Sequence, residues 1–185
     1  MVTHDSEQVL QSAAALVNTE RAASHTGRDE LTSVEDVADF FTGWAYSGTL
    51  DRSPEELDRL RALRGELRAF FTESRDEAAE HVNRVLREAR ALPQLVRHDG
   101  YDWHLHAVPS DAPFDERIRV ETAMAVADLV RSDETGRLKV CEADDCEALL
   151  VDLSRNRSKR FCDVGNCGNR MNVTAYRARR AAAAG

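Results

Sequence analysis

Apolar positions along the chain recur mostly at helical spacing. Val9, Leu10, Ala13, Leu16 and Val17 fall three and four apart, which predicts a first helix over Glu7 to Ala23. Ser33 with Asp36 three residues on reads as an N-cap. Val34, Val37, Ala38, Phe41, Trp44 and Ala45 then mark one stripe, which Gly48 is expected to end. Ser53-Pro54-Glu55-Glu56 combines an N-cap, proline at the first helical position and glutamate at the third. Leu57, Leu60, Leu63, Leu67, Phe70 and Phe71 trace the long helix it starts. Another helix runs through Val82, Val85, Leu86 and Ala89 and stops before Pro93. The aromatic positions Phe41, Trp44, Phe70 and Phe71 read as core.

The period then changes. Leu95 to His98, Asp99-Gly100, and Tyr101 to Val108 read as two strands joined by a tight turn. Phe114 to Val130 is apolar on most sides (Ile118, Met124, Ala125, Val126, Leu129), which predicts a buried helix. Gly136 is the expected boundary to the cysteine-bearing segment, and the alanines at 181–184 read as a frayed tail. The expected fold is mainly α with a small β-hairpin: a helical domain over 1–136, a small module over 137–180 and a tail over 181–185.

Composition agrees with a folded, water-facing protein. Of the 185 residues 42% are apolar and 31% charged. Met1 to Glu20 has no basic start and no long apolar run, so no signal peptide is expected, and no stretch approaches the ~20 apolar residues of a membrane span. A cytoplasmic location follows as the expectation, with thiols kept reduced. The net charge of −8 is uneven: residues 137–180 hold ten basic and six acidic side chains, a balance of +4, which leaves −12 for the rest.

The four cysteines Cys141, Cys146, Cys162 and Cys167 read C-x4-C-x15-C-x4-C. Two knuckles across a medium spacer put four soft thiolates at the corners of a tetrahedron, the geometry of closed structural zinc sites. Disulfides, an iron–sulfur cluster and an unmetallated set are the alternatives. One structural Zn2+ per chain is expected, with Phe161 as the apolar plug beneath it. A segment of ~45 residues buries too little surface to fold alone, and structural zinc supplies ~10–16 kcal/mol of apparent binding free energy. A treble-clef-like or zinc-ribbon-like module is the expected form.

The run Cys162-Asp163-Val164-Gly165-Asn166-Cys167-Gly168-Asn169-Arg170, preceded by Asp152-Leu153-Ser154-Arg155-Asn156, resembles the CGNR zinc finger family over about Arg137 to Arg180. Phe161 stands where that family's pattern carries Trp, a conservative departure. Upstream, Leu16-Val17-Asn18-Thr19 and the order of helices resemble the ABATE domain that usually precedes this finger. The resemblance implies a stress-induced transcription regulator.

Gly168 permits a tight backbone after the last cysteine, and Asn169 is expected to cap the helix that follows. Met171, Ala175 and Ala178 form its inward face; Arg170, Thr174 and Arg177 form a stripe, with Arg179 and Arg180 beyond. With Arg155, Arg157, Lys159 and Arg160 in the spacer, these arginines make a phosphate-binding surface for DNA. Bland readings compete: Arg170 hydrogen-bonding a knuckle carbonyl or pairing with Asp152 or Asp163, terminal arginines complementing a helix dipole, a protein contact, or a structural role alone. His104 and His106 share a strand face beside Trp103, fit for a metal or ligand or simply exposed. Asn18 and Thr19 line a pocket or end a helix. No nucleophile elbow, phosphate loop or HExxH motif is present, so no enzyme is expected. The expected function is a transcription regulator whose module contacts DNA while the acidic domain binds a small effector or partner. The rivals are a zinc-stabilised adaptor on RNA polymerase or another protein, and a small-molecule-binding protein or enzyme acting through the N-terminal domain.

Overall fold

The computed structural model describes residues 4–97 and 102–183. Its order is α1 (His4–Val17), α2 (Val34–Gly43), α3 (Pro54–Ala69), α4 (Arg75–Glu88), β1 (Gln94–Val96), β2 (His104–His106), α5 (Phe114–Ser132), a 3-10 turn (Thr135–Arg137), β3 (Leu138–Val140), β4 (Leu149–Val151) and α6 (Cys167–Ala182). The fold class is the expected one, mainly helical with short hairpins. No helix among the described residues is long and apolar enough to cross a membrane.

Local chemistry explains most starts. Ser33 and Asp36 close a reciprocal capping box at α2, and Ser74 with Glu77 closes another at α4. At α3 the Ser53 hydroxyl accepts from the Glu56 amide at 3.2 Å. The buried Glu56 carboxylate turns back to accept from the amides of Asp51 and Arg52 at 3.2 and 2.8 Å. α5 packs against α1, α3 and α4, which is why it is apolar on most sides.

Several ends differ from the periodicity. α1 stops at Val17, not Ala23; the Asn18 amide still donates to the Ala14 carbonyl at 2.9 Å, while its side chain turns to β4. α2 stops at Gly43, capped by Trp44. Gly48 lies in the next loop at φ 87°, pressed so closely against the Ser110 carbonyl and the Arg117 guanidinium that a Cβ has no room. Trp44 is only partly buried and faces a cavity, whereas Phe70 and Phe71 are core as expected. β1 and β2 pair antiparallel with Leu95 opposite Leu105, shorter than expected. The expected turn at Asp99-Gly100, with His98 and Tyr101, lies outside the described residues.

The core runs across Gly136. β3 and β4 pair antiparallel, Leu138 opposite Val151, and Leu138, Leu149 and Val151 join the same apolar cluster as the helices. Asn18 completes the join: its side-chain amide donates to the Leu149 carbonyl at 2.9 Å and accepts from the Leu149 amide at 2.7 Å, as a neighbouring strand would. Thr19 is held as well, its hydroxyl donating to the Leu16 carbonyl at 2.6 Å and accepting from buried Arg64 at 3.0 Å.

α6 differs most from expectation. It begins at Cys167, two residues before Asn169, whose side chain donates instead to Asn166 Oδ1 at 2.8 Å. Met171 is partly covered, but every side chain from Asn172 to Ala182 is exposed, Ala175 and Ala178 included. The alanines expected as a tail continue the helix to Ala182.

Candidate metal centre and nucleic-acid interface

The β3–β4 connection carries Cys141 and Cys146, while Cys162 and Cys167 flank the turn into α6. Their four Sγ atoms lie within 4.8 Å of one another, with Cys146–Cys162 at 3.7 Å and Cys162–Cys167 at 3.6 Å. A disulfide needs about 2.05 Å, and all four are free thiols. A tetrahedron built on metal–sulfur bonds of about 2.3 Å has edges of about 3.8 Å, so the donor set fits a tetrahedral metal. Burial pushes the Cys146 and Cys162 thiols up from their ordinary range, so gathering four thiolates here calls for a cation among them. Phe161 packs partly buried against the cysteines, and its ring meets Gly168.

Arg170 staples the two knuckles. It donates to Cys167 Sγ at 3.2 Å, to the Gly165 carbonyl at 3.2 Å and through both terminal nitrogens to Asp145 at 2.6 and 3.0 Å. Burial opposes ionisation of Cys167, but Arg170 and the neighbouring thiols outweigh it and bring that thiol below its ordinary value. The knuckle carbonyl was an expected partner; Asp152 and Asp163 are not partners, because lysines hold them. Asp152 is wholly buried and accepts from Lys139 Nζ at 2.6 Å, the Ser154 hydroxyl and the Lys159 amide, bonds that overcome burial and keep its carboxyl well below the usual range. Asp163 takes the Lys159 side chain at 2.6 Å.

The eight basic residues therefore divide. Arg157 pairs with Glu134 at 3.0 Å, Arg160 with Glu142 at 2.6 Å, and Lys159 and Arg170 as above. Arg155, Arg177 and Arg179 are exposed, with no hydrogen bond or ion pair among the described residues, and Arg180 only leans over the Tyr176 ring. Arg155 sits on the spacer turn; the other three occupy the last turns of α6.

His104 and His106 face each other, Nε2 to Nε2 at 3.0 Å. No third metal-ligating side chain joins them among the described residues. They border a cavity of about 510 Å3 enclosed by α1, α5, the β1–β2 hairpin and the loop after α2. The sequence reading missed two residues in that region. Arg117 is buried and donates to the carbonyls of Ala112, Ser47 and Thr49; Glu121, one turn on, borders the cavity. Their opposite charges at i, i+4 on one helix were the available signal. Asn18 was noticed, but its partner 131 residues away was not foreseeable.

Comparison with known families gives two matches. The CGNR zinc finger pattern matches residues 137–180. The ABATE pattern, described as "Putative stress-induced transcription regulator", matches residues 11–133. No curated protein matches the chain.

Proposed function

The chain belongs to the ABATE family and carries a CGNR zinc finger, and from that premise we propose a cytoplasmic transcription regulator that touches DNA through α6. Cys141, Cys146, Cys162 and Cys167 hold one zinc ion per chain. Four sulfurs fill the tetrahedron, so the ion shapes the module and leaves no open position for chemistry. The reading is of a binding protein and not an enzyme. The helical domain supplies the sensing half, for a small ligand or partner.

One observation carries the DNA reading: from Asn172 onward every side chain of α6 to Ala182 is exposed, and Arg177, Arg179 and Arg180 have no acidic partner among the described residues. That exposed part spans about 16 Å, and B-DNA's major groove admits a helix. Arginines free of internal carboxylates can neutralise phosphates and release counterions. The acidic body, by contrast, is repelled by DNA, so only the projecting helix approaches. Ending the chain after Asn172 keeps all four cysteines. This variant should melt like the full chain and lose binding to genomic duplex at low salt. Retained binding would place the contact elsewhere.

Val173 and Tyr176 favour a second reading, since they stand 47% and 54% exposed on the same helix and suit a groove on a partner protein. If α6 serves as an adaptor to the transcription machinery, Val173→Ser with Tyr176→Ser abolishes protein capture while DNA affinity stays unchanged.

A further inference from the structure

We propose that the cavity between α1, α5 and the β1–β2 hairpin binds an amphipathic organic cation, an amine with an apolar body, with Glu121 as its counter-ion. This deepens the sensing half of the function proposed above and rests on it. At about 510 Å3 the space suits a small organic molecule. Its walls are mostly apolar, including Leu86, Leu105 and Met124, and three rings reach it, those of Trp44, Tyr46 and Trp103.

Charge selects the ligand. Glu121 accepts no hydrogen bond and forms no ion pair among the described residues. Burial pushes its carboxyl from 4.5 up to about 7, a rise that Arg117 opposes and Asp5 reinforces. Asp5 and Asp128, on α1 and α5, add two more carboxylates to the lining. Arg117 is the one lysine or arginine in that lining, and it is spent on three backbone carbonyls and stacked over the rings of Phe41 and Phe114 at 5.8 and 5.2 Å. It has little left to offer an anion. On β2, His104 and His106 face each other, Nε2 to Nε2 at 3.0 Å, so each ring already has the other as a partner. An ammonium here gains a charge-assisted hydrogen bond to Glu121 and the faces of aromatic rings, while its body replaces water against the apolar wall.

Two probes of matched shape and opposite charge test this: 4-phenylbutylamine and 4-phenylbutyrate, titrated into the full chain without DNA. Calorimetry gives the affinity. Tryptophan fluorescence reports the site, because the only two tryptophans, Trp44 and Trp103, both line the cavity. At about pH 8 the amine should shift the emission and bind at least ~10-fold more tightly than the acid, the equivalent of ~1.4 kcal/mol. Glu121→Gln keeps the shape and removes the charge. It should lower amine affinity ~10-fold or more without weakening the acid, with an unchanged circular dichroism spectrum.

Lowering the pH through about 7 should weaken amine binding in the wild type, since protons then compete for Glu121. The Gln variant lacks the Glu121 part of that dependence. Equal affinities, a preference for the acid, no binding by either probe, or an unaffected Glu121→Gln variant would each overturn the assignment. With DNA absent, failure here leaves the α6 reading standing, and failure of α6 to bind DNA leaves this result intact.

Discussion

Glu121 and the arginines in the last turns of α6 lack an ionic partner among the described residues, but one is largely covered at the edge of a cavity and the others stand in water. Burial raises the Glu121 carboxyl to about 7, so holding it ionised at neutral pH opposes folding. Arg177 and Arg179 are solvated and impose no comparable penalty on the fold. The contrast teaches where to look for function: a covered charge is a loss that a proton or a ligand of opposite charge relieves, whereas an exposed row of charge is free to meet a partner. Between them lies the join of Asn18 with Leu149, which ties α1, one wall of the cavity, to the hairpin of the metal module.

The largest expected effect separates the two regions outright. Stripping the metal with a strong chelator under reducing conditions removes on the order of 10 kcal/mol of apparent binding free energy. Hydrogen exchange should then show residues 160–182 losing protection while α3, α4 and α5 keep theirs. The β3–β4 hairpin, anchored by Leu138, Leu149 and Val151, should fall between. An α6 that stays protected without metal would break the account of that region.

Cutting the join comes next. Asn18→Ala leaves the buried amide and carbonyl of Leu149 without their partner, at about 2–4 kcal/mol for the two groups. Urea denaturation measures it; a loss below about 0.5 kcal/mol would mean that the two parts hold together without Asn18.

The third effect has the opposite sign. The folded pKa of Glu121, about 7, lies above its ordinary value of 4.5. Its contribution to stability is therefore complete below about 4.5 and lost as pH rises through about 7. Glu121→Gln, which cannot ionise, should be more stable than the wild type at about pH 8 by about 1–3 kcal/mol, and the two should converge below about pH 4.5. Urea midpoints across that range check both points. Smallest of all, Arg177→Glu with Arg179→Glu should change stability by no more than about 0.5 kcal/mol, because nothing packs on those side chains.

Much of this was legible from local spacing. The cap at Ser33, the start at Ser53-Pro54 and the four cysteines depend on residues near in sequence, and all stand where the pattern put them. What escaped was decided at long range. Asn18 looked like a helix terminus, and it is one, but its side chain also bonds Leu149, far along the chain. Met171, Ala175 and Ala178 had the spacing of an inward face, yet spacing cannot supply something to pack against, and only Met171 meets any. The basic cluster read as one surface until the acids Glu134, Glu142, Asp145 and Asp163 claimed half of it.

The central claim is that the unpaired arginines of α6 meet DNA phosphates, and salt dependence tests it most directly. Fluorescence anisotropy of a labelled duplex across a salt series, for the metal-loaded wild type and the Arg177→Glu, Arg179→Glu variant, gives the slope of log affinity against log salt. Each lost phosphate contact lowers that slope by about 0.9, so the double variant should bind more weakly and show a slope smaller by about 1.8, with metal content unchanged. An unchanged slope, or a wild type without DNA affinity at low salt, would contradict it.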